Sequence, residues 1–219
     1  MPALLDPSPE SAPDWLFIDD DLLVVDKPSG MLSVPGRSEL DCMAARVQAH
    51  VPDALIVHRL DMATSGLMLF ARGKAMQQRL SQAFARREVH KRYVAVVEGL
   101  VERDHGEIDL PLIADWPQRP RQKVDHDIGK PSLTRYQVLQ RDDVHGRTAL
   151  SLEPVTGRSH QLRVHLLAIG HPILGDALYA PPEVQAKSPR LLLHAQSLVL
   201  KHPRTGNELR VSHDPPFAV

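Results

Sequence analysis

Five consecutive residues without a polar side chain, Leu67-Met68-Leu69-Phe70-Ala71, restrict this chain more than any other segment. Successive side chains of a strand point to opposite faces, so a half-exposed strand alternates apolar and polar residues. An unbroken apolar run between Gly66 and Gly73 needs cover on both faces and reads as a central strand of a sheet.

The cover has to come from the neighbouring segments. Residues 74–87 place Met76, Leu80, Ala83 and Phe84 on one helical face and Arg79, Arg86 and Arg87 on the other. Cys42 to Val51 has helical composition and stops at Pro52-Asp53. Residues 158–169 (RSHQLRVHLLAI) read as a further helix ended by Gly170 and Pro172, with Leu162, Leu166 and Ile169 facing the core and His160 and Arg163 on another stripe. Residues 15–27 read as a hairpin turning at Asp19–Asp21, and 92–100, 132–140, 148–155 and 191–201 as strands. Residues 111–131, rich in Pro and basic side chains, read as an exposed loop. Strands do not alternate one-for-one with helices. The expected class is therefore α+β: a mixed, mostly antiparallel sheet with flanking helices. Residues 1–13, with four prolines, read as a flexible leader, and 14–219 as a single domain.

Composition narrows the function classes. Hydrophobic residues make up 42% and charged residues 24% of 219, which excludes disorder throughout. The lone cysteine, Cys42, excludes an internal disulfide and a structural thiolate zinc site. The first residues form neither a secretory nor a transit signal, and no apolar stretch is long enough to cross a bilayer, so a cytoplasmic protein is expected. Residues 1–26 hold seven acids and no Lys or Arg, which leaves 26 bases against 20 acids in the rest. A basic body of this kind suits a polyanion such as RNA.

Three segments can carry chemistry. In His58-Arg59-Leu60-Asp61, an extended backbone puts Arg59 and Asp61 on one side. A carboxylate beside a guanidinium stays ionised and can act as nucleophile or base; the same pair also serves as a plain ion pair at a strand end. Gly157 to His165 clusters polar groups at a helix start, which suits anion binding or simple solvation. The five-residue spacing of His160 and His165 is poor for zinc. In Lys91-Arg92-Tyr93, bases flank a ring on which a nucleobase can stack, although an ordinary strand start has the same look. Motifs for dinucleotides, P-loop phosphates and serine hydrolases are absent, and Cys42 sits among apolar residues as inert core.

In order along the chain, KPSGMLSVPG, HRLDMATSGLMLFAR, KRYVAVVEG, PVTGRSHQLRVHLLAIGHPILGD and RLLLHAQSL resemble the signature segments of the RluA-type family of RNA pseudouridine synthases. The resemblance spans about Trp15 to Pro203 and is nearest to the short, dual-specificity branch acting on tRNA and large-subunit rRNA. It implies one catalytic domain with a central cleft and no S4 domain, isomerisation of uridine to pseudouridine, and no cofactor or metal. It implies that Asp61 is the catalytic aspartate, that Arg163 pairs with it and keeps it charged, and that Tyr93 contacts the target base and assists proton removal from C5. Arg59 would fill the gap left by the departed uridine. Arg119, Arg121, Lys123 and Lys130, with Arg79, Arg86 and Arg87, are candidates for phosphate contacts. A monomer is expected. Two other readings stand beside this one: a catalytically silent RNA-binding protein or RNA chaperone on the same fold, and a metal-dependent nuclease.

Overall fold

The computed structural model describes residues 12–219, so most of the expected leader lies outside the described residues. Twelve strands and four α-helices follow in order: β1 (Asp14–Ile18), β2 (Leu22–Lys27), α1 (Met43–His50), β3 (Ala54–Ile56), β4 (Ser65–Arg72), α2 (Gly73–Ala85), β5 (His90–Glu98), β6 (His105–Asp109), β7 (Leu112–Ala114), β8 (Gln122–Val124), β9 (Leu133–Asp142), β10 (Arg147–Pro154), α3 (Gln161–Ala168), α4 (Pro182–Gln185), β11 (Leu193–Lys201) and β12 (Glu208–Ser212). Ten strands make one sheet in the order β1-β2-β4-β11-β5-β10-β9-β6, with β3 beside β4 and β12 beside β11. Every pairing is antiparallel except β4 with β11, which gives the mixed, mostly antiparallel α+β sheet expected.

The apolar run is explained by its cover. Leu67, Leu69 and Ala71 of β4 pack with Leu22 and Val24 of β2 against Met76 and Leu80 of α2. Met68 and Phe70 point the other way and pack with Leu23 and Val25 against Met43, Ala44 and Val47 of α1. Each fully buried side chain of this size contributes about 1.5–3 kcal/mol. A separate core lies where α3 sends Leu162 and Leu166 onto Ala95, Val97, Leu150 and Leu152 of β5 and β10.

The order β4-β11-β5 brings distant segments together. Gly66 lies opposite Ala195, and Ala195 lies opposite Tyr93, so Tyr93 stands one strand away from the start of β4. Gly66 has φ +115, and a Cβ there would meet the Ala195 carbonyl oxygen at 2.4 Å; the parallel junction needs glycine.

The segment 111–131 departs from expectation. It holds a small antiparallel hairpin, β7 with β8, with Trp116–Gln118 forming a 3-10 turn between them. Strands of three residues are too short to show a period. The third helix begins at Gln161, because residues 158–160 form a turn with His160 at φ 53.

Two histidines, half-buried His58 and fully buried His194, fix this framework. His58 Nε2 accepts the Leu69 N–H at 2.9 Å while its ring stacks on Phe84. His194 bonds Ser65 Oγ through Nδ1 at 2.9 Å and the His213 carbonyl oxygen through Nε2 at 3.1 Å. Burial pushes the pKa down to about 3 for His58 and about 4 for His194. The unfolded chain therefore binds more protons than the folded one below the ordinary histidine pKa of about 6.5. This contribution is complete above pH 6.5 and is lost as pH falls, by up to about 1.4 kcal/mol per pH unit for each group. Resistance to urea is expected to fall steadily from pH 6.5 to pH 5, above the range where carboxylates dominate. A midpoint independent of pH across that interval would contradict neutral burial of these rings.

Candidate active site

Asp61 opens a tight turn just before β4, its carbonyl accepting the Thr64 N–H at 3.1 Å. The turn is bolted to the segment that follows β2. Lys27 is fully buried, and its Nζ donates to the carbonyls of Pro28 (2.8 Å), Met31 (2.8 Å) and Met62 (3.1 Å). Ser29 Oγ donates to the Ala63 carbonyl at 2.7 Å. Ser33 Oγ donates to the Leu60 carbonyl at 2.7 Å and accepts the Leu60 N–H at 3.0 Å. The Gly30 N–H donates to Met62 at 2.8 Å. The KPSGMLS stretch, part of the first signature segment, thus shapes the loop that carries Asp61. Burial pushes the Lys27 ammonium down to about 7, against the pull of Asp61 and Asp26.

Arg163 comes from the first turn of α3. Its Nε and Nη2 grip Asp176 at 2.8 and 2.6 Å, in a pair only 3% and 1% exposed. The remaining nitrogen, Nη1, faces Asp61 Oδ2 at 3.6 Å. A guanidinium offers five N–H donors in a rigid fork. Two edges are used on Asp176, which fixes the direction of the third. Burial alone would lower the Arg163 pKa, but Asp176 and then Asp61 raise it, so the cation persists. Asp176 Oδ1 also accepts the N–H groups of Leu178 (2.9 Å) and Tyr179 (3.1 Å). Neither Asp176 nor Tyr179 stands out in sequence; GDALY has no spacing that announces an ion pair with Arg163.

The other oxygen of Asp61 faces His160, with Nε2 to Oδ1 at 3.9 Å. Tyr93 on β5 lines the same cleft. Burial first, then the charge of Asp61, raises the Tyr93 pKa, so its hydroxyl stays protonated. A protonated phenol suits a hydrogen-bond donor and a flat ring against a base better than a proton acceptor.

The cleft, about 1240 Å³, runs between the Asp61 turn, the C-terminal end of α2, the start of β5, the β7–β8 hairpin and the turn before α3. Eight Lys or Arg side chains line it against two acids, Asp61 and Glu153. Of the expected nucleic-acid contacts, Arg59, Arg87, Arg119 and Arg121 are among the eight. Arg119 stacks on Trp116, and Arg121 bonds Gln118 at 2.9 Å. Lys123, Lys130, Arg79 and Arg86 do not line the cleft; Lys123 lies 4.0 Å from Asp125. Lys91, Arg135, Arg158 and Arg163 complete the basic lining, and the sequence alone does not single out Arg135 or Arg158 as contacts.

Ligand-type side chains gather elsewhere. Among the described residues, Asp26–His194–His213 and Asp19–Asp21–His202 each place three such atoms within 4.8 Å. Neither group lines the cleft; in the first His194 is held by Ser65 while Asp26 Oδ1 and His213 Nδ1 stand 3.6 Å apart without a hydrogen bond, and in the second Asp21 pairs with Arg204. Among the same residues no helix is long and apolar enough to cross a membrane.

The chain as a whole is similar to known proteins. Residues 21–168 match the family model described as RNA pseudouridylate synthase. The chain is 52% identical over 204 residues to the dual-specificity RNA pseudouridine synthase RluA of Yersinia pestis, covering 92% of this chain and 98% of that protein. It is 49% identical over 219 residues to the protein of the same name from Pasteurella multocida, covering 98% of this chain and all of that one. The solved structure of human RNA pseudouridylate synthase domain containing 1 superposes with a TM-score of 0.81 at 28% identity, covering 96% of this chain and 86% of its own. Human RNA pseudouridylate synthase domain containing 4 gives 0.76 at 26%, with 93% and 88% covered.

Proposed function

The chain belongs to the RNA pseudouridylate synthase family, an isomerase acting on uridine in RNA, and from that premise we propose that it has dual specificity, for the tRNA anticodon arm and for large-subunit rRNA. The reading is supported by relatives described as dual-specificity RNA pseudouridine synthases at about half identity over nearly their whole length. The observation that carries the chemistry is one carboxylate, Asp61, at a basic cleft, its two oxygens faced by Arg163 at 3.6 Å and His160 at 3.9 Å.

In this proposal residues 14–219 act as one catalytic domain, as a monomer in the cytoplasm, with RNA as partner and without metal or cofactor. The target uridine leaves its stack at a cost of a few kcal/mol. Asp61 assists cleavage of the bond between N1 and the ribose. Arg163 holds the charge opposite it. Tyr93 keeps the detached base in place while it turns to present C5, and RNA seated over the cleft keeps out water that would divert the reaction to hydrolysis. Rejoining through C5 releases the C5 hydrogen. Arg119 and Arg121, with Lys123 further out, supply phosphate contacts that give affinity more than sequence choice.

Tritium release from RNA labelled at uridine C5 tests the assignment, with bulk tRNA and rRNA from cells lacking this protein as substrates. Release from both is the expected result. Release from one RNA alone would remove dual specificity, and release from neither would favour the silent RNA-binding reading.

Arg59 is exposed at the cleft beside Asp61, where its planar head can occupy the vacated stack. Arg59→Ala is expected to lower the rate on a folded stem-loop about 10–100-fold, the equivalent of part of the unstacking cost. On an unstructured oligonucleotide the loss should be within a few-fold. Equal losses on both substrates would contradict this role.

A further inference from the structure

His160 occupies an unusual place for its residue type. It precedes α3 with φ 53, in the left-handed region, and its side chain makes no capping bond to the helix. Its ring instead turns into the cleft, with Nδ1 2.6 Å from Tyr179 Oη and Nε2 3.9 Å from Asp61 Oδ1. Tyr179 Oη also accepts the backbone N–H of Gln122 at 2.8 Å. Gln122 belongs to β8, in the hairpin that overhangs the cleft.

The directions of these bonds follow from proton counting. A backbone N–H can only donate, so the phenol oxygen accepts from Gln122. Burial pushes the Tyr179 hydroxyl up to about 12, so it keeps its one proton. Among the described residues the structure gives that proton one acceptor, His160 Nδ1. Nδ1 is therefore unprotonated. The ring faces Asp61, Arg163 and Asp176, and burial lowers its pKa, so it is neutral with its single proton on Nε2. That proton points toward Asp61.

We propose that His160 is a positioning residue for Asp61: a relay from the Gln122 backbone through Tyr179 fixes its ring with Nε2–H directed at the carboxylate. The proposal rests on the reading of Asp61 as the reacting group. Arg163 approaches Oδ2 as a cation, while His160 approaches Oδ1 as an uncharged donor, so together they set the plane of the carboxylate. A separation of 3.9 Å is longer than a hydrogen bond, and catalytic hydrogen bonds that are long in an empty site tighten when substrate fills it. The relay also ties the seating of the β7–β8 hairpin to the carboxylate's orientation.

The first test needs no substrate. In protein labelled with 15N-histidine, long-range proton–nitrogen correlation reads each ring's tautomer, and the signals missing in His160→Asn identify residue 160. The expected result is the Nε2–H form in the wild type and a mixture in Tyr179→Phe. The Nδ1–H form in the wild type would overturn the proposal whatever the activity.

The second test is kinetic. His160→Asn suits the left-handed backbone and removes the donor, and it is expected to lower kcat about 100-fold with KM within about twofold. Tyr179→Phe should lower kcat about tenfold. His160→Gln, whose amide can reach the place of Nε2–H, should recover most of the loss. Equal losses in the Gln and Asn variants, or a wild-type kcat in the Asn variant, would overturn the positioning role. If Asp61→Asn turns over, the premise itself falls; if it is dead while His160→Asn is active, only the relay falls.

Discussion

Asp61→Asn is expected to cost at least about 10⁴-fold in turnover, on the scale seen when a reacting side chain is removed, while unfolding stability changes by less than about 1 kcal/mol. The two halves of this expectation have separate causes. The carboxylate oxygens hold nothing together: Arg163 and His160 stand at 3.6 and 3.9 Å, beyond hydrogen-bond distance. The bond that shapes the turn is made by the Asp61 main-chain carbonyl, which the substitution leaves alone. Arg163 keeps its bidentate partner Asp176, so no buried charge is orphaned. Asparagine has the same shape but no negative charge to offer at the ribose. Tritium release and urea unfolding on one preparation check both halves. Turnover within tenfold of wild type would move the chemistry to another residue. Loss of folding would mean the carboxylate is a structural anchor after all.

The opposite pattern is expected at Asp176. Its carboxylate is 1% exposed and answers a guanidinium that is 3% exposed. Asp176→Ala takes away the bidentate partner of that buried cation and leaves it only Asp61, at 3.6 Å and not hydrogen-bonded, and it also strips the acceptor from the Leu178 and Tyr179 N–H groups. Removing one partner of a buried pair typically costs about 3–5 kcal/mol, against a total of about 5–15 kcal/mol for a domain. The melting temperature should fall by several degrees at least. Activity measured well below that temperature should still be strongly reduced, because Arg163 is no longer aimed at Asp61. Full activity in a destabilised variant would show that Arg163 finds its direction without Asp176. Unchanged stability would show that the pair contributes little to the fold.

The parts of this molecule legible in sequence are those with a local cause. The run Leu67–Ala71 announces a strand with two covered faces, and Met76 and Leu80 announce the helix that covers one of them. Asp61, Tyr93 and Arg163 are found by their motifs and do line one cleft. What sequence does not disclose is which atoms hold these three in place. Lys27 meets Met62 across 35 positions of chain, and Ser33 meets Leu60 across 27. Hydrogen bonds between loops have no period and no spacing rule, so nothing in KPSGMLS names its partners. Asp176 is hidden for the same reason, and β7 and β8 because three residues cannot show alternation.

The position of β11 has a consequence for how the protein comes into being. Residues 193–201 fill the gap between β4 and β5, two strands that leave the ribosome much earlier. Until that late strand arrives, β5 holds an edge without a partner, β4 lacks one at Ser65 and Gly66 beyond the stretch that β3 pairs, and Tyr93 has no fixed distance from the turn bearing Asp61. Such non-local closure is slow and comes last. A chain still being synthesised therefore carries its full complement of chemical groups without their alignment. The geometry of the cleft forms only once nearly the whole polypeptide has been made, and a product truncated before Leu193 carries Asp61 and Tyr93 without the strand that sets one beside the other.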